Sequence, residues 1–148
     1  MARKKKSRLP PWLYEDNPES SFGIVTSDLL KSKQFQGLSL PAKHLLVVLI
    51  AHAKTREAQQ CCFLALQDYF MALGEQKNTA IQDASFLVHT EGRAFVFPAK
   101  QYGVYGFERR TVCKYMKELR ASGFIDLKFS GKNQYSPNVY LFSEGWKK

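Results

Sequence analysis

A chain of 148 residues is long enough for one domain with a tail, and 45% hydrophobic residues, including 11 Phe and 7 Tyr, supply a core, so a chain disordered throughout is excluded. The formal charge of +9 is unevenly placed: residues 1–8 carry +5, residues 9–107 carry −1 and residues 108–148 carry +5. Charge gathered at two ends of a sequence favours a polyanionic partner over a merely solvated surface.

Residues 1–21 read as a flexible basic arm. Arg3, Lys4, Lys5 and Lys6 repel one another, and Pro10, Pro11 and Pro18 oppose regular structure. The basic start runs into Pro10-Pro11-Trp12 and not into an apolar stretch, so no secretory leader is expected and a cytoplasmic location is. Residues 22–148 are expected to form the folded domain. Phe22–Gln36 reads as an extended lead-in with a short helical turn. Ser39 suits a helix N-cap and Pro41 the first turn, for a helix running to about Lys54. Its stretch Leu45–Ala51 is apolar on every face, which predicts a central buried helix. That run is far shorter than the ~20 residues of a membrane span, so no membrane association is expected.

Phe63, Leu66, Phe70 and Leu73 fall at helical spacing, and Gly74 can end that helix. Thr79–Gln82 fits a capping box opening another short helix. Phe86–Phe97 is compatible with a hairpin turning at Glu91-Gly92, or with a helix end followed by one strand at Arg93–Phe97. Residues 57–92 are thus a helical or hairpin insertion. Pro98–Tyr102 reads as a short helix and Val104-Tyr105-Gly106 as a turn. Glu108–Ser122 is the clearest helix, with Val112, Met116 and Leu119 as its buried stripe and Gly123 as its stop. Phe124–Phe129 and Asn138–Phe142 read as strands joined by the polar loop Ser130–Pro137. A faint echo at an offset of 32 pairs Phe63, Gly74, Thr79 and Leu87 with Phe95, Gly106, Thr111 and Leu119; chance similarity and a second helix-turn-helix are both open.

Strand, short helix, turn, longer helix, strand, loop, strand is the order of a helix-turn-helix followed by a wing. The string Gly106-Phe107-Glu108-Arg109-Arg110-Thr111-Val112-Cys113-Lys114-Tyr115-Met116-Lys117-Glu118-Leu119 resembles the recognition helix of winged-helix proteins. Gly123-Phe124-Ile125 resembles their turn into the wing, and Ser136–Ser143 with Trp146 their returning strand and closing residues. The resemblance is to winged helix-turn-helix DNA-binding proteins of plasmids, phages and conjugative elements, including the amino-terminal domains of replication initiators. It covers residues 94–146 and loosely the Leu38–Ala53 helix, and not the arm or residues 57–92. It implies a mainly α domain with a small β wing (α+β) that binds double-stranded DNA, in transcription regulation or replication of a mobile element. One departure is Glu108, which stands where such proteins usually cap this helix with Ser, Thr or Asp.

Burying Val112, Met116 and Leu119 turns Arg109, Arg110, Cys113, Lys114 and Lys117 outward. Arginines near the helix start suit base readout, because the guanidinium fork matches two acceptors on guanine. Lys114 and Lys117 suit phosphates, as does Thr111, whose alternative is a first-turn backbone bond. Lys128, Lys132, Asn133 and Gln134 lie on or beside the expected wing, and Arg3, Lys4, Lys5 and Lys6 can follow phosphates without reading bases. Catalysis finds little support. His44, His52 and His89 lack metal-ligand spacing, and no phosphate-binding or nucleophile motif occurs. His44 and His52 suit core or edge positions. Cys61, Cys62 and Cys113 suit reduced thiols and not a metal site. No cofactor, metal or small-molecule substrate is expected. Tyr102, Tyr105 and Tyr135 can stack on bases, although packing within the fold suits them better. A homodimer through the apolar helix or residues 57–92 is compatible with the sequence. The rival reading is a winged helix that binds a protein partner and no DNA.

Overall fold

Four successive helices start on a hydroxyl side chain that accepts a backbone N–H from the first turn, satisfying a donor that the helix itself leaves unpaired. Thr26 caps α1 (Ser27–Lys31), Ser32 caps α2 (Lys33–Gln36), Ser39 caps α3 (Leu40–His52) and Thr55 caps α4 (Arg56–Ala72). The computed structural model describes residues 25–131 and 137–147. Within them the expected extended lead-in is replaced by α1 and α2, because Thr26 and Ser32 each supply a cap. The arm, residues 1–21, lies outside the described residues, as do Lys132, Asn133 and Gln134 of the loop.

Helix α3 has the expected cap and the Pro in its first turn. It is not buried all round: Ala42, Leu45, Leu46 and Leu49 face the core, whereas Val47 is 41% exposed and Leu40 77%. An apolar circumference therefore did not require a neighbour on every side. Helix α4 begins seven residues before the expected Phe63, since Thr55 already ends the preceding turn. Helix α5 (Lys77–Ser85) starts after Gln76, which makes no side-chain cap bond, so the expected capping box at Thr79 is absent; Thr79 sits exposed in the first turn. A π-helical turn, Phe86–Thr90, extends α5 and leads into β1 (Ala94–Val96). Of the two readings of residues 86–97, the helix end followed by a strand is the one observed.

Helix α6 (Ala99–Tyr102) continues as a 3-10 turn, Gly103–Tyr105, and Gly106 at φ 80° reverses the chain into α7 (Arg109–Ala121). Strands β2 (Ile125–Phe129) and β3 (Val139–Phe142) follow, then a 3-10 turn at Gly145–Lys147. The architecture is mainly helical with one small antiparallel sheet in the order β1-β3-β2, an α+β arrangement. The echo at an offset of 32 survives from its glycines onward. Gly74 and Gly106 both have positive φ, and Thr79 and Thr111 are both third residues of helices; Phe63, however, lies inside a helix and Phe95 in a strand.

The sheet is covered on both faces. Phe95, Phe97 and Ile125, with Tyr140 and Phe142, pack with α1, α2, α3 and α7. Ala94, Val96 and Val139, with Leu141 and Phe129, pack with α4, α5 and the π turn. The four residues 94–97 are therefore buried without alternation, as in any strand enclosed on two sides. The pairing of β2 with β3 shifts between Leu127, opposite Tyr140, and Phe129, opposite Val139. This irregularity at Lys128 sends Phe129 to the α4 side of the sheet, since one inserted residue reverses the alternation that follows it. Among the described residues, no helix is long and apolar enough to cross a membrane.

Candidate nucleic-acid interface

Helix α7 is fixed by one stripe. Val112, Met116 and Leu119 are buried against the cluster that includes α3, and Gly123 at φ 84° ends the helix. A Cβ on Gly123 would stand 2.8 Å from the backbone of Gly145 and of Trp146, and the Trp146 N–H donates to the Gly123 carbonyl at 3.1 Å. Glycine at this position therefore lets the C-terminal turn close over the end of α7, where Trp146 stacks on Phe124.

The start of the helix is held as closely. His52 at the end of α3 is buried, and its Nδ1 lies 2.8 Å from the Tyr105 hydroxyl. Burial holds the His52 pKa below its usual value, outweighing the nearby Glu57 charge, which raises it. The His44 ring, exposed as an edge residue, lies 4.9 Å from that of Phe107. Tyr102 and Tyr105 both pack with Phe97, so packing and not base stacking accounts for them; Tyr135 lies outside the described residues. Glu108 occupies the N-cap position with extended backbone and makes no side-chain cap bond.

With the stripe inward, Arg109, Arg110, Cys113, Lys114 and Lys117 are exposed, and Thr111 is half-buried in the first turn. Arg120, one helical step beyond Lys117, is also exposed and joins this cationic side. Sequence reasoning passed over Arg120, although its spacing of three from Lys117 was the available signal. The single acid of α7, Glu118, is turned away: its carboxylate accepts the Ser39 N–H at 2.8 Å and the Ser39 hydroxyl at 2.9 Å. Among the described residues the ion pairs are Arg93–Glu91 and Lys147–Glu144, so none of the α7 cations is neutralised by a paired acid. Lys114 lies over the Tyr115 ring at 5.4 Å, and Lys128, exposed on β2, over the Phe129 ring at 5.5 Å.

A groove of about 450 Å3 separates the last turns of α7 from β2, lined by Lys117, Arg120, Ala121, Asp126 and Leu127. The base of the β2–β3 loop is clamped, with the Gly131 N–H donating to Asn138 Oδ1 at 2.7 Å and Asn138 Nδ2 to the Tyr140 hydroxyl at 3.2 Å. The Tyr69 hydroxyl of α4 donates to the Pro137 carbonyl at 2.7 Å. Of the site residues expected from sequence, the structure brings Arg109, Arg110, Thr111, Lys114 and Lys117 onto one helix, with Lys128 on the strand that follows it. Arg3, Lys4, Lys5, Lys6, Lys132, Asn133 and Gln134 lie outside the described residues. Cys61, Cys62 and Cys113 are free thiols; burial pushes the Cys62 thiol up to about 12 and raises that of Cys61. No known family model, curated protein or solved structure matches the chain.

Proposed function

We propose that the chain binds double-stranded DNA as a winged helix-turn-helix, with α6 and α7 as the helix pair and the β2–β3 loop as the wing. The order α3, β1, α6, α7, β2, β3 and the sheet order β1-β3-β2 support this reading. The observation that carries it is the outward face of α7: exposed, unpaired cations on a helix whose one carboxylate is engaged elsewhere. In this reading α7 enters the major groove, Arg109 and Arg110 meet base edges from the first turn, and Lys114 and Lys117 meet phosphates. Thr111 and Lys128 contribute backbone contacts. The basic arm and Lys132, Asn133 and Gln134 add contacts of their own. The setting is transcription regulation or replication initiation on a mobile element, and footprints on candidate operators and iterated repeats separate the two.

Selection of bound sequences from random duplex DNA, followed by titration of one selected duplex against salt, tests the proposal. If six or so phosphates are contacted, the slope of log affinity against log salt is roughly −5. Palindromic enrichment further indicates a symmetric homodimer. Absence of duplex binding at low salt refutes the reading and leaves the protein-interaction module in its place.

A further inference from the structure

A pocket of about 330 Å3 opens between α1, α3 and the C-terminal turn, away from the cationic face of α7. Leu29, Leu46 and Ile50 form its aliphatic wall, and Phe124, Phe142 and Trp146 its aromatic wall. Leu29, Leu46 and Phe124 are buried at its floor, whereas Thr26 and Lys54 are exposed at its rim, with Ser143 half-buried beside them. Both hydroxyls already accept a backbone N–H, Thr26 from Leu29 at 3.2 Å and Ser143 from Gly145 at 3.1 Å, which leaves each O–H to donate. The Lys54 ammonium stands at the Gly92 end, 3.7 Å from where a Cβ on Gly92 would be. No acid is among the described residues that line the pocket, and the acids just beyond it, Glu91 and Glu144, pair with Arg93 and Lys147. We propose that this pocket binds a small monocarboxylate with an apolar body, its carboxylate at Lys54 and its body between the two walls. The proposal stands apart from the duplex-binding reading, and the failure of either leaves the other in place.

The two parts of the pocket select the two parts of the ligand. An apolar body that enters it exchanges water for aliphatic and aromatic carbon, and the gain grows with the area covered. The rim selects the charge of the head group. A carboxylate accepts from the Lys54 ammonium and from the two hydroxyls, whereas an amine of the same length meets like charge there. The pocket lies near the lower end of small-molecule sites, which span roughly 300–1,000 Å3, so it suits a medium-chain or single-ring acid. A nucleotide fits poorly, because its sugar hydroxyls would lie against Leu46 and Ile50 without partners. Trp146 gives the site its own reporter. Its ring stacks on Phe124 at 5.8 Å and forms part of the aromatic wall, so a bound body changes the surroundings of the indole.

The test titrates the full chain with octanoate and with octylamine, which share a chain length and differ in charge. The protein carries Trp12→Phe, which leaves Trp146 as the single indole, and its emission is followed. Octanoate is expected to change that emission saturably and to bind on the order of tenfold more tightly than octylamine, as one exposed charge attracts the first and repels the second. Lys54→Glu, at an exposed position, is expected to reverse the preference. Lys77→Glu makes the same change of charge on α5, outside the pocket, and is expected to keep it. Thermal unfolding of each variant checks that the fold is intact. Equal binding of the two ligands overturns the proposal, as does an equal loss of preference in Lys54→Glu and Lys77→Glu, which would make the effect one of net charge alone. No saturable response to octanoate overturns it too. If that response then emerges in Phe22→Ala, the pocket belongs to the chain's own residues 22–24, and the proposal is again overturned.

Discussion

Glu118→Ala is expected to cost stability and not DNA affinity, although the residue lies on the helix that carries the cationic face. Its carboxylate receives two bonds from Ser39, one from the backbone N–H and one from the hydroxyl, at the N-terminus of α3. Bonds to an ionised acceptor contribute about 1.5–3 kcal/mol when enclosed, and less where the pair is half-buried, as here. A carboxylate at a helix N-terminus adds about 0.3–1 kcal/mol. A loss of about 2 kcal/mol is therefore expected for Glu118→Ala, and about 1 kcal/mol for Glu118→Gln, which keeps one acceptor oxygen but adds an amide that cannot accept. Ser39→Ala also removes the bond from the Ala42 N–H, so it costs about 1–2 kcal/mol by itself. The informative quantity is the coupling in the double-mutant cycle, expected near 1 kcal/mol because the hydroxyl bond is lost only once. Urea unfolding gives each value as a change of midpoint at constant slope. Additive single losses, with a coupling below about 0.3 kcal/mol, would refute the link between α3 and α7. Duplex affinity of Glu118→Ala should equal or slightly exceed that of wild type.

His52 provides a pH dependence whose sign is fixed by its environment. Its pKa is lowered from the usual 6.5 by burial, so between the folded pKa and about 6.5 the unfolded chain binds more protons than the folded one. The stability contributed by the neutral ring is complete above that window and falls as pH drops through it; urea midpoints at pH 7.5 and 5.5 should differ more for wild type than for His52→Gln, and an equal difference in both contradicts the assignment. Gly123→Ala and Gly74→Ala separate backbone strain from collision: both have positive φ, but only at Gly123 would the new Cβ meet backbone, at 2.8 Å. Gly74→Ala is expected to cost about 1 kcal/mol and Gly123→Ala at least twice that, read as melting temperatures at about 2–4 °C per kcal/mol; equal losses would remove the close approach as a cause. Arg110→Ala should weaken the selected duplex by about 1–3 kcal/mol and relax its preference at one or two base pairs, whereas Lys114→Ala should weaken all duplexes alike and flatten the salt slope by about one. Should both variants keep wild-type affinity and preference, α7 is not the reading helix.

Helix α7 was legible because its stripe is single-sided: three apolar residues at i, i+4 and i+7 leave no choice of face, and Gly123 marks the end. β1 was harder for the opposite reason. Enclosure on both faces removes the alternation that identifies a half-buried strand, so Ala94-Phe95-Val96-Phe97 fits several readings. α3 misled in the other direction, since apolar residues on every side suggested complete burial and Val47 remains exposed. The pairing of Glu118 with Ser39 spans 79 residues of sequence, and no local pattern announces such a contact. The irregularity at Lys128 is equally hidden, because the residue types Ile125–Phe129 are compatible with a regular strand. The cationic face was readable as composition, while its freedom from acidic partners depended on where Glu118 turned.

Residues 57–92, which the resemblance leaves uncovered, acquire a physical role from the second face of the sheet. Ala94, Val96, Val139 and Leu141 point to that face, and without α4 and α5 they would be open to water. The same helix α4 also holds residues on either side of the β2–β3 loop. The irregularity at Lys128 turns Phe129 toward α4, where its ring stacks on Tyr69 at 4.8 Å and meets Phe70 edge-on at 5.5 Å. The hydroxyl of the same Tyr69 donates to the Pro137 carbonyl at the other end of the loop. One α4 side chain thus touches the residue that precedes the loop and the residue that closes it. Helix α4 therefore holds Phe129 and Pro137, the residues that flank the proposed wing, from behind the sheet.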